Sequence, residues 1–377
     1  MVDLIKDWFV RRFSHPQVFI LMLLVVLGLA LVLTLGGILA PLIAAVVLAY
    51  LLEGVVSRVE KMGLPRLLVV SGVFVLFMTS LVLLIIVVVP LLLNQVTQLV
   101  QQLPSYVTTF KDTLQELPER YPDLLSQGQI AGLLDAIGEQ LTGMGQALVT
   151  QTLSSISGVI TLIVFLVLVP ILVFFLMKDK VQLVEWVQQF LPKERGLAIS
   201  VWREVDVQLG NYVRGKTLEI LIVGAVTFVT FRILDLQFAA LLATLVGFSV
   251  LVPYIGAAVV TLPVAIVAFY QFGWSGQFAW IMAAYGIIQV LDGNALVPLL
   301  FSEVVNLHPV AIIGAVLLFG GIWGFWGVFF AIPLATLCSA ILRAIRVPPA
   351  EEPGAEGPAA AAEQESEPAP IQESDAA

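Results

Sequence analysis

Long apolar runs, separated by short polar segments, dominate the chain. They lie near residues 17–35, 38–52, 67–93, 155–177, 217–234, 236–252, 256–272, 277–298 and 310–342. Several exceed the roughly 18 apolar residues that indicate a transmembrane helix. The pattern predicts an all-α polytopic membrane protein with about eight transmembrane helices, including two re-entrant or broken helical hairpins in the C-terminal half.

The first predicted hairpin covers residues 236–272. Its arms of 16 or 17 residues are short for full crossings, and the turn between them, "VPYIG" at 252–256, carries no charge. We favour a re-entrant loop with its tip inside the protein, because bare backbone is tolerated at membrane depth only when protein or a wet cavity surrounds it. Two full spans joined by a small turn would give the same topology.

The second predicted hairpin covers residues 310–342. As one helix this segment would extend about 50 Å, against a bilayer core of about 30 Å. We expect its glycines to break the helix and to allow close helix packing, with Pro333 as a further hinge or packing residue. The glycines are Gly320, Gly321, Gly324 and Gly327.

The distribution of charge predicts the orientation. Fifteen of the 18 Lys and Arg residues fall at the N terminus, after the second and fourth spans, or after the last segment. Cytoplasmic loops are enriched in Lys and Arg. We therefore expect these regions, and with them both termini, to be cytoplasmic, and segment 94–154 to lie outside.

The same pattern divides the chain into six parts. Residues 1–93 hold three membrane helices, and residues 94–154 form an extracytoplasmic amphipathic helical arm. Residues 155–177 form the fourth membrane helix, and residues 178–216 form a cytoplasmic helical segment. Residues 217–346 form a C-terminal transport core, and residues 347–377 form an acidic tail. The two amphipathic segments are either surface or oligomer contacts or simple connectors. The tail has no core-forming content and is interpreted as disordered.

Composition agrees with a membrane protein. Hydrophobic residues make up 59% of the chain and charged residues 12%, with a mean hydropathy of +1.01, whereas soluble domains have about 25% charged residues. The tail holds eight acidic residues and no basic ones, so the net charge of −9 says little about a substrate. Cys338 is alone, which excludes an intrachain disulfide.

A polar triplet, Asp292, Gly293 and Asn294, interrupts the apolar run 277–298. An ionisable residue within a span costs at least about 2.5–3.5 kcal/mol, so it usually faces a cavity or a partner. Asp292 could bind H⁺ or Na⁺ and couple it to solute movement, or it could lie solvated at the end of its span. Asn294 could add a carbonyl ligand, and we expect Pro298 to end or kink the helix.

Further candidates for the substrate or ion pathway lie at a hairpin tip and at helix ends. Pro253, Tyr254 and Gly256 would shape the first tip and free carbonyls toward a cavity, unless they form a plain turn. Arg214, at the start of the fifth span, is either a topology determinant or a solute contact. His308 precedes a proline at a helix start, where it could sense pH.

The sequence carries no signature of a protease or hydrolase. H-E-x-x-H, G-x-S-x-G and a paired His/Cys set are absent, so we expect no catalytic residues, no cofactor and no metal. Nothing in the sequence indicates a nucleic-acid partner. A channel or a non-transporting membrane scaffold is the competing interpretation, although no run resembles a potassium filter.

Five motifs in the C-terminal half occur in the order of a known family. They are "NYVRGKTLEILIVG" (211–224), "LVPYIGAAVVTLPVAIVAF" (251–269), "DGNALVPLLF" (292–301), "LHPV" (307–310) and "GGIWGFWGVFFAIPLAT" (320–336). This region resembles the autoinducer-2 exporter family of bacterial membrane proteins, also called permease-like proteins. The first half of the chain agrees with the family in layout. The family usually has Glu where this chain has Asp292, and often Pro where it has Ala257.

The resemblance implies a multi-pass secondary transporter of the bacterial cytoplasmic (inner) membrane that works as a homo-oligomer without ATP. Members are associated with export of the quorum-sensing signal autoinducer-2, and some with sodium/proton exchange. We therefore expect export of a small polar metabolite or signal, coupled to H⁺ or Na⁺. A Na⁺/H⁺ antiporter without metabolite transport is the alternative. Paired broken helices, as predicted here, often surround a midplane substrate site in secondary transporters.

Overall fold

The fold is built from helices. The computed structural model describes residues 16–115, 143, 156–190, 196–301 and 308–346, and every element within these ranges is helical. Within these ranges, six helices are long and apolar enough to cross a membrane. This confirms the prediction of an all-α polytopic membrane protein. The predicted tail and the predicted arm beyond residue 115, apart from Gly143, lie outside the described residues.

The first two predicted spans form one helix. Helix α1 runs Pro16–Glu60, although we expected separate spans at 17–35 and 38–52. Gly36 and Gly37 do not end it, because a glycine inside a helix costs only about 1 kcal/mol and no charged residue stands between the two runs. The 45 residues extend about 67 Å, roughly twice the thickness of the bilayer core.

An N-terminal body forms where α2, Arg66–Leu83, and α4, Ile156–Lys178, pack against the second half of α1. The Arg66 guanidinium joins all three helices. It pairs with Glu53 at 3.2 Å and Glu60 at 3.0 Å on α1, and donates to the Met177 carbonyl of α4 at 2.8 Å. The buried side chains between the helices are small or β-branched, which allows close approach: Ala45, Ala49, Val56, Val69, Val70, Val73, Val169 and Val173, with Met177.

The third predicted span and the predicted arm are continuous. A five-residue π-helical turn, Leu84–Val88, joins α2 to α3, Val89–Gln115. The apolar face of α3 packs against the C-terminal half of the same chain through Val96, Leu99 and Leu103. The Tyr106 ring centroid lies 3.8 Å from that of Tyr270. The described part of the arm therefore covers its own chain, where we expected the membrane surface or a neighbouring subunit.

After α4, the short helix α5, Lys180–Gln189, leads toward the long helix α6, Gly196–Ile233. The predicted fifth span, 217–234, forms the second half of α6, so part of the predicted cytoplasmic segment and this span make one helix. α6 is not among the six most apolar long helices, because its membrane half carries Lys216, Glu219 and Arg232.

The first hairpin consists of α7, Ala239–Ser249, and α8, Ile255–Phe272. The 11 residues of α7 extend about 16 Å, so α7 cannot cross a bilayer core of about 30 Å. It is followed by α9, Gly276–Leu291, a second π-helical turn, Asp292–Leu296, and α10, Val297–Phe301. The core of this half is formed mainly by Phe231, Leu242, Val246, Val264, Ala268, Ile281 and Tyr285.

The second hairpin breaks at Gly324. Helix α11, Pro309–Phe329, contains this one residue in a non-helical conformation, at φ 58° and ψ −133°, and α12, Ala331–Arg346, follows. The chain folds back on itself, since Gly327 lies against the Phe319 backbone and Gly320 against the Val328 side chain. The predicted break in segment 310–342 is therefore found among its glycines.

The tip of the first hairpin meets the arms of the second. Leu251 is buried with Phe329 and Ile332, and Val252 packs against Val316 and Ala331. The Tyr212 hydroxyl of α6 donates to the Phe329 carbonyl at 2.8 Å, in a buried position. The start of the first tip is thus packed against the second hairpin, whereas Tyr254 and Ile255 that follow are exposed. The re-entrant arrangement stays a prediction.

Candidate functional site

A buried ion pair stands on α6. Lys216 and Glu219 are 4% and 2% exposed, and Lys216 Nζ lies 2.8 Å from Glu219 Oε2. Residues three apart share a helix face, so both side chains point the same way. The Phe301 ring of α10 covers the ammonium group, with 5.6 Å between Nζ and the ring centroid. The arrangement holds two charges away from solvent in an otherwise apolar region.

Asp292 faces the same pair from the second π-helical turn. It is half-buried and interacts electrostatically with both Lys216 and Glu219. Its Oδ1 atom is buried and makes no hydrogen bond to the described residues. A buried carboxylate oxygen without a hydrogen-bond donor is costly. The site therefore offers an acceptor that can take a proton or a cation.

The π-helical turn has a local cause in the sequence. Pro298 has no N–H, and its ring clashes with the carbonyl four residues earlier, which belongs to Asn294. The preceding turn, Asp292–Leu296, is widened accordingly. The Asn294 amide donates to the Val290 carbonyl at 2.9 Å, and its side chain is exposed. Pro298 thus widens the helix, whereas we expected it to end or kink it; α10 continues to Phe301.

The candidate residues at the first tip have different environments. Tyr254 is exposed and has φ 63°, and Pro253 is half-buried in the turn. Gly256 is buried at the start of α8, where a Cβ atom would collide with the Ser249 carbonyl. Its lack of a side chain lets the end of α7 cross the start of α8. None of the three contacts Asp292 through a described hydrogen bond or ion pair.

Arg214 lies one turn before the ion pair and joins α6 to α1. It donates to Asn211 Oδ1 at 2.8 Å; its aliphatic part lies against Gly54 of α1 and its guanidinium group against Gly210. About two turns further back on α6, the Tyr50 hydroxyl of α1 donates to the Asp206 carboxylate. The observed contacts of Arg214 therefore hold two helices together.

The remaining candidates lie on the second hairpin. His308 is exposed and caps α11, since its Nδ1 accepts a hydrogen bond from the Val310 N–H at 3.3 Å. Pro309 at the first helical position is favourable there. Pro333 lies in the first turn of α12, where its carbonyl accepts from the Thr336 hydroxyl at 2.8 Å. Gly321 has open space around it.

The segment 210–217, "GNYVRGKT", matches the letters of the nucleotide-binding P-loop, G-x-x-x-x-G-K-[ST]. The structure excludes that function, because a P-loop is a loop between a strand and a helix, whereas this segment lies inside α6. The Thr217 hydroxyl donates to the Val213 carbonyl, and Lys216 is paired with Glu219. The glycines serve packing instead: Gly215 touches the Phe301 ring.

Sequence reasoning missed Lys216 and Glu219 as site residues. Lys216 follows Arg214 at the start of an apolar span, where basic residues usually determine topology. The signal was present, because opposite charges three residues apart at the edge of an apolar span form an ion pair on one helix face. Among the described residues there is no group of three or more His, Cys, Asp or Glu that could hold a metal ion.

Comparison with known proteins gives one consistent match. The profile of the family described as "AI-2E family transporter" matches residues 18–347. The "Putative permease PerM" of Escherichia coli (strain K12) is 47% identical over 91% of this chain and 98% of its own length. The "AI-2 transport protein TqsA" of the same organism is 24% identical over 86% of this chain and 92% of its own. The "Putative transport protein YueF" of Bacillus subtilis (strain 168) is 28% identical over 81% and 85%, respectively.

Proposed function

The chain belongs to the AI-2E transporter family, and from this membership we propose that it is a secondary transporter that exports a small polar solute coupled to H⁺ or Na⁺. Its relatives are named as permeases and transport proteins. One of them is named for transport of AI-2, so an autoinducer-2-like signal is the first solute to test.

The main support for coupling solute export to a cation is the position of Asp292 beside the buried pair Lys216–Glu219. In their ordinary charge states the three side chains hold one net negative charge, because Lys216 neutralises only one of the two carboxylates. An uncompensated charge in an apolar region is unfavourable by at least about 2.5–3.5 kcal/mol. One bound H⁺ or Na⁺ at Asp292 removes it, and the site is expected to take one cation per cycle.

The two-part architecture supports a transport cycle. The N-terminal body of α1, α2 and α4 has its own core, and the C-terminal half with both hairpins has another. Asp292, Lys216 and Glu219 belong to the second of these. Movement of this half against the first would carry the cation site across the membrane, in line with the rigid-body rocking of other secondary transporters.

The test uses purified protein in liposomes loaded with autoinducer-2, with imposed pH or Na⁺ gradients. Wild-type efflux is expected to change with one of the gradients. Asp292→Asn should lose this dependence while keeping its fold. Asp235→Asn is the matched control, because it makes the same change at an exposed carboxylate near the start of α9, the end opposite Asp292.

The possible outcomes separate the alternatives. Efflux of Asp292→Asn that follows the gradient as wild type does would reject Asp292 as the coupling residue. Exchange of Na⁺ for H⁺ without any solute would identify an antiporter. Large single-channel currents in planar bilayers would identify a channel.

A further inference from the structure

Among the described residues, nothing covers the apolar face of helix α5. No residue of this ten-residue helix is buried. Leu183, Trp186, Val187 and Phe190 follow the i, i+3, i+4, i+7 spacing of one helix face. Trp186 is 57% exposed and Phe190 is 73% exposed, and their rings contact each other edge to face at 5.0 Å. Two exposed aromatic rings on one helix face indicate an apolar partner.

The start of α5 is fixed at the end of the membrane helix α4. Asp179 alone separates the two helices; its N–H donates to the Phe175 carbonyl at 2.8 Å, and its own carbonyl accepts from the Leu183 N–H at 2.9 Å. Lys180 pairs with Glu53 of α1 at 3.3 Å. The helix is therefore held at the level where the apolar sequence of α4 gives way to charged residues.

The apolar face of α5 continues an apolar surface of α4. Ile171 and Phe175 on the last turns of α4 are 47% exposed each. Lys178, which closes α4, lies 5.7 Å from the centroid of the Phe175 ring. Trp and Phe directly beyond such a charged helix end are the residues that favour the interface between lipid tails and headgroups.

The charge of α5 defines what kind of surface it fits. Lys180 and Glu185 are its only charged residues, so its net charge is zero, and Lys180 is already paired with Glu53. Attraction to anionic headgroups is thus weak, and the apolar side chains supply the binding. A helix of this composition lies in the interfacial plane with its apolar face toward the acyl chains.

We propose that α5 lies in the lipid interface beside the end of α4, with Leu183, Trp186, Val187 and Phe190 embedded, and that the lipid bilayer is its partner irrespective of headgroup charge. This proposal is independent of the transported solute. The interfacial helix would hold the connection between α4 and α6 at a constant depth in the membrane.

The chain has a single cysteine, Cys338, so spin labels can be placed at chosen positions once it is replaced. In a Cys338→Ser background, Val187→Cys on the apolar face and Gln189→Cys on the polar face are each spin-labelled. The full-length protein is placed in nanodiscs of phosphatidylcholine, with or without phosphatidylglycerol. Collision with oxygen, which dissolves in lipid, and with a nickel chelate, which stays in water, is measured by power saturation. Gel filtration confirms that both labelled proteins are folded.

The expected result is a label at 187 that is accessible to oxygen and protected from nickel, and the reverse at 189. The ratio of oxygen accessibility to nickel accessibility at position 187 should change less than twofold when phosphatidylglycerol is added. Equal nickel access at 187 and 189 would place α5 in water and overturn the proposal. Protection at 187 from both reagents would mean that protein and not lipid covers this face, which also overturns it.

Discussion

Pro90 and Pro298 occupy the same place relative to a π-helical turn: each follows the last residue of its turn by two positions. In both cases proline removes the hydrogen bond to the carbonyl four residues earlier, that of Ile86 or Asn294, and the helix widens around it. The first turn lies between the part of the helix that packs in the N-terminal body and the part that packs on the C-terminal half. The second holds Asp292.

Replacing Pro298 tests whether the widened turn positions Asp292. In Pro298→Ala the Asn294 carbonyl can regain an α-helical hydrogen bond, and the turn Asp292–Leu296 can shorten. Stability should be unchanged or higher, because proline inside a helix costs about 3 kcal/mol. We expect the gradient-dependent efflux to fall at least tenfold, since Asp292 would rotate away from Lys216.

Pro263→Ala provides the control, because Pro263 lies inside α8 without a π-helical turn. Its coupled efflux should equal that of wild type. Should both variants lose the same amount of activity, the effect would come from helix flexibility in general and not from the position of Asp292.

The ion pair on α6 predicts a strong coupling between two substitutions. Lys216→Met leaves the Glu219 carboxylate buried without its partner, which is expected to cost about 3–5 kcal/mol of unfolding free energy. Lys216→Met combined with Glu219→Gln removes both charges and should recover most of this loss. Reversible denaturation by sodium dodecyl sulfate in mixed micelles measures the free energies. Additive effects of the two single substitutions would show that the pair is not coupled.

The sequence alone predicted those features that depend on local length and residue type. Asp292 is a lone acid in an apolar run, and the second hairpin is a largely apolar segment of 33 residues, longer as one helix than the bilayer core is thick. Glycines within that run located the break, which the structure places at Gly324. These predictions need only the period of the helix, its rise and the thickness of the membrane.

Features that depend on distant parts of the chain could not be predicted in this way. Lys216 reads as a solvated helix-start residue until Phe301, from a helix far along the chain, is seen to cover it. The apolar face of α3 shows that a partner exists, but only the fold identifies the C-terminal half as that partner. Helix α1 continues through Gly36 because a glycine destabilises a helix by only about 1 kcal/mol. The spacing of apolar residues does not show whether so small a cost ends a helix.

Gly256 is predicted to be sensitive to the smallest side chain. Gly256→Ala would bring a Cβ atom into the Ser249 carbonyl, so α7 and α8 must move apart at the first tip. Overpacking of this kind costs about 1–3 kcal/mol. Gly286→Ala in α9 is the matched control: it has open space and should be neutral or stabilising by up to about 1 kcal/mol. Similar unfolding free energies for the two variants would contradict the close crossing of α7 and α8.

Gly324 is predicted to be the one glycine of the second hairpin that is required for its backbone conformation. At φ 58° and ψ −133° it occupies a region that residues with a Cβ atom rarely enter, so Gly324→Ala should cost about 1–3 kcal/mol. Gly321→Ala, three residues earlier, is the control, because Gly321 has open space and no positive φ. Denaturation in mixed micelles measures both. Because the arms on either side of this break pack against Leu251 and Val252 of the first hairpin, Gly324→Ala should also increase proteolysis at 250–254. Unchanged cleavage there would show that the two hairpins are not coupled.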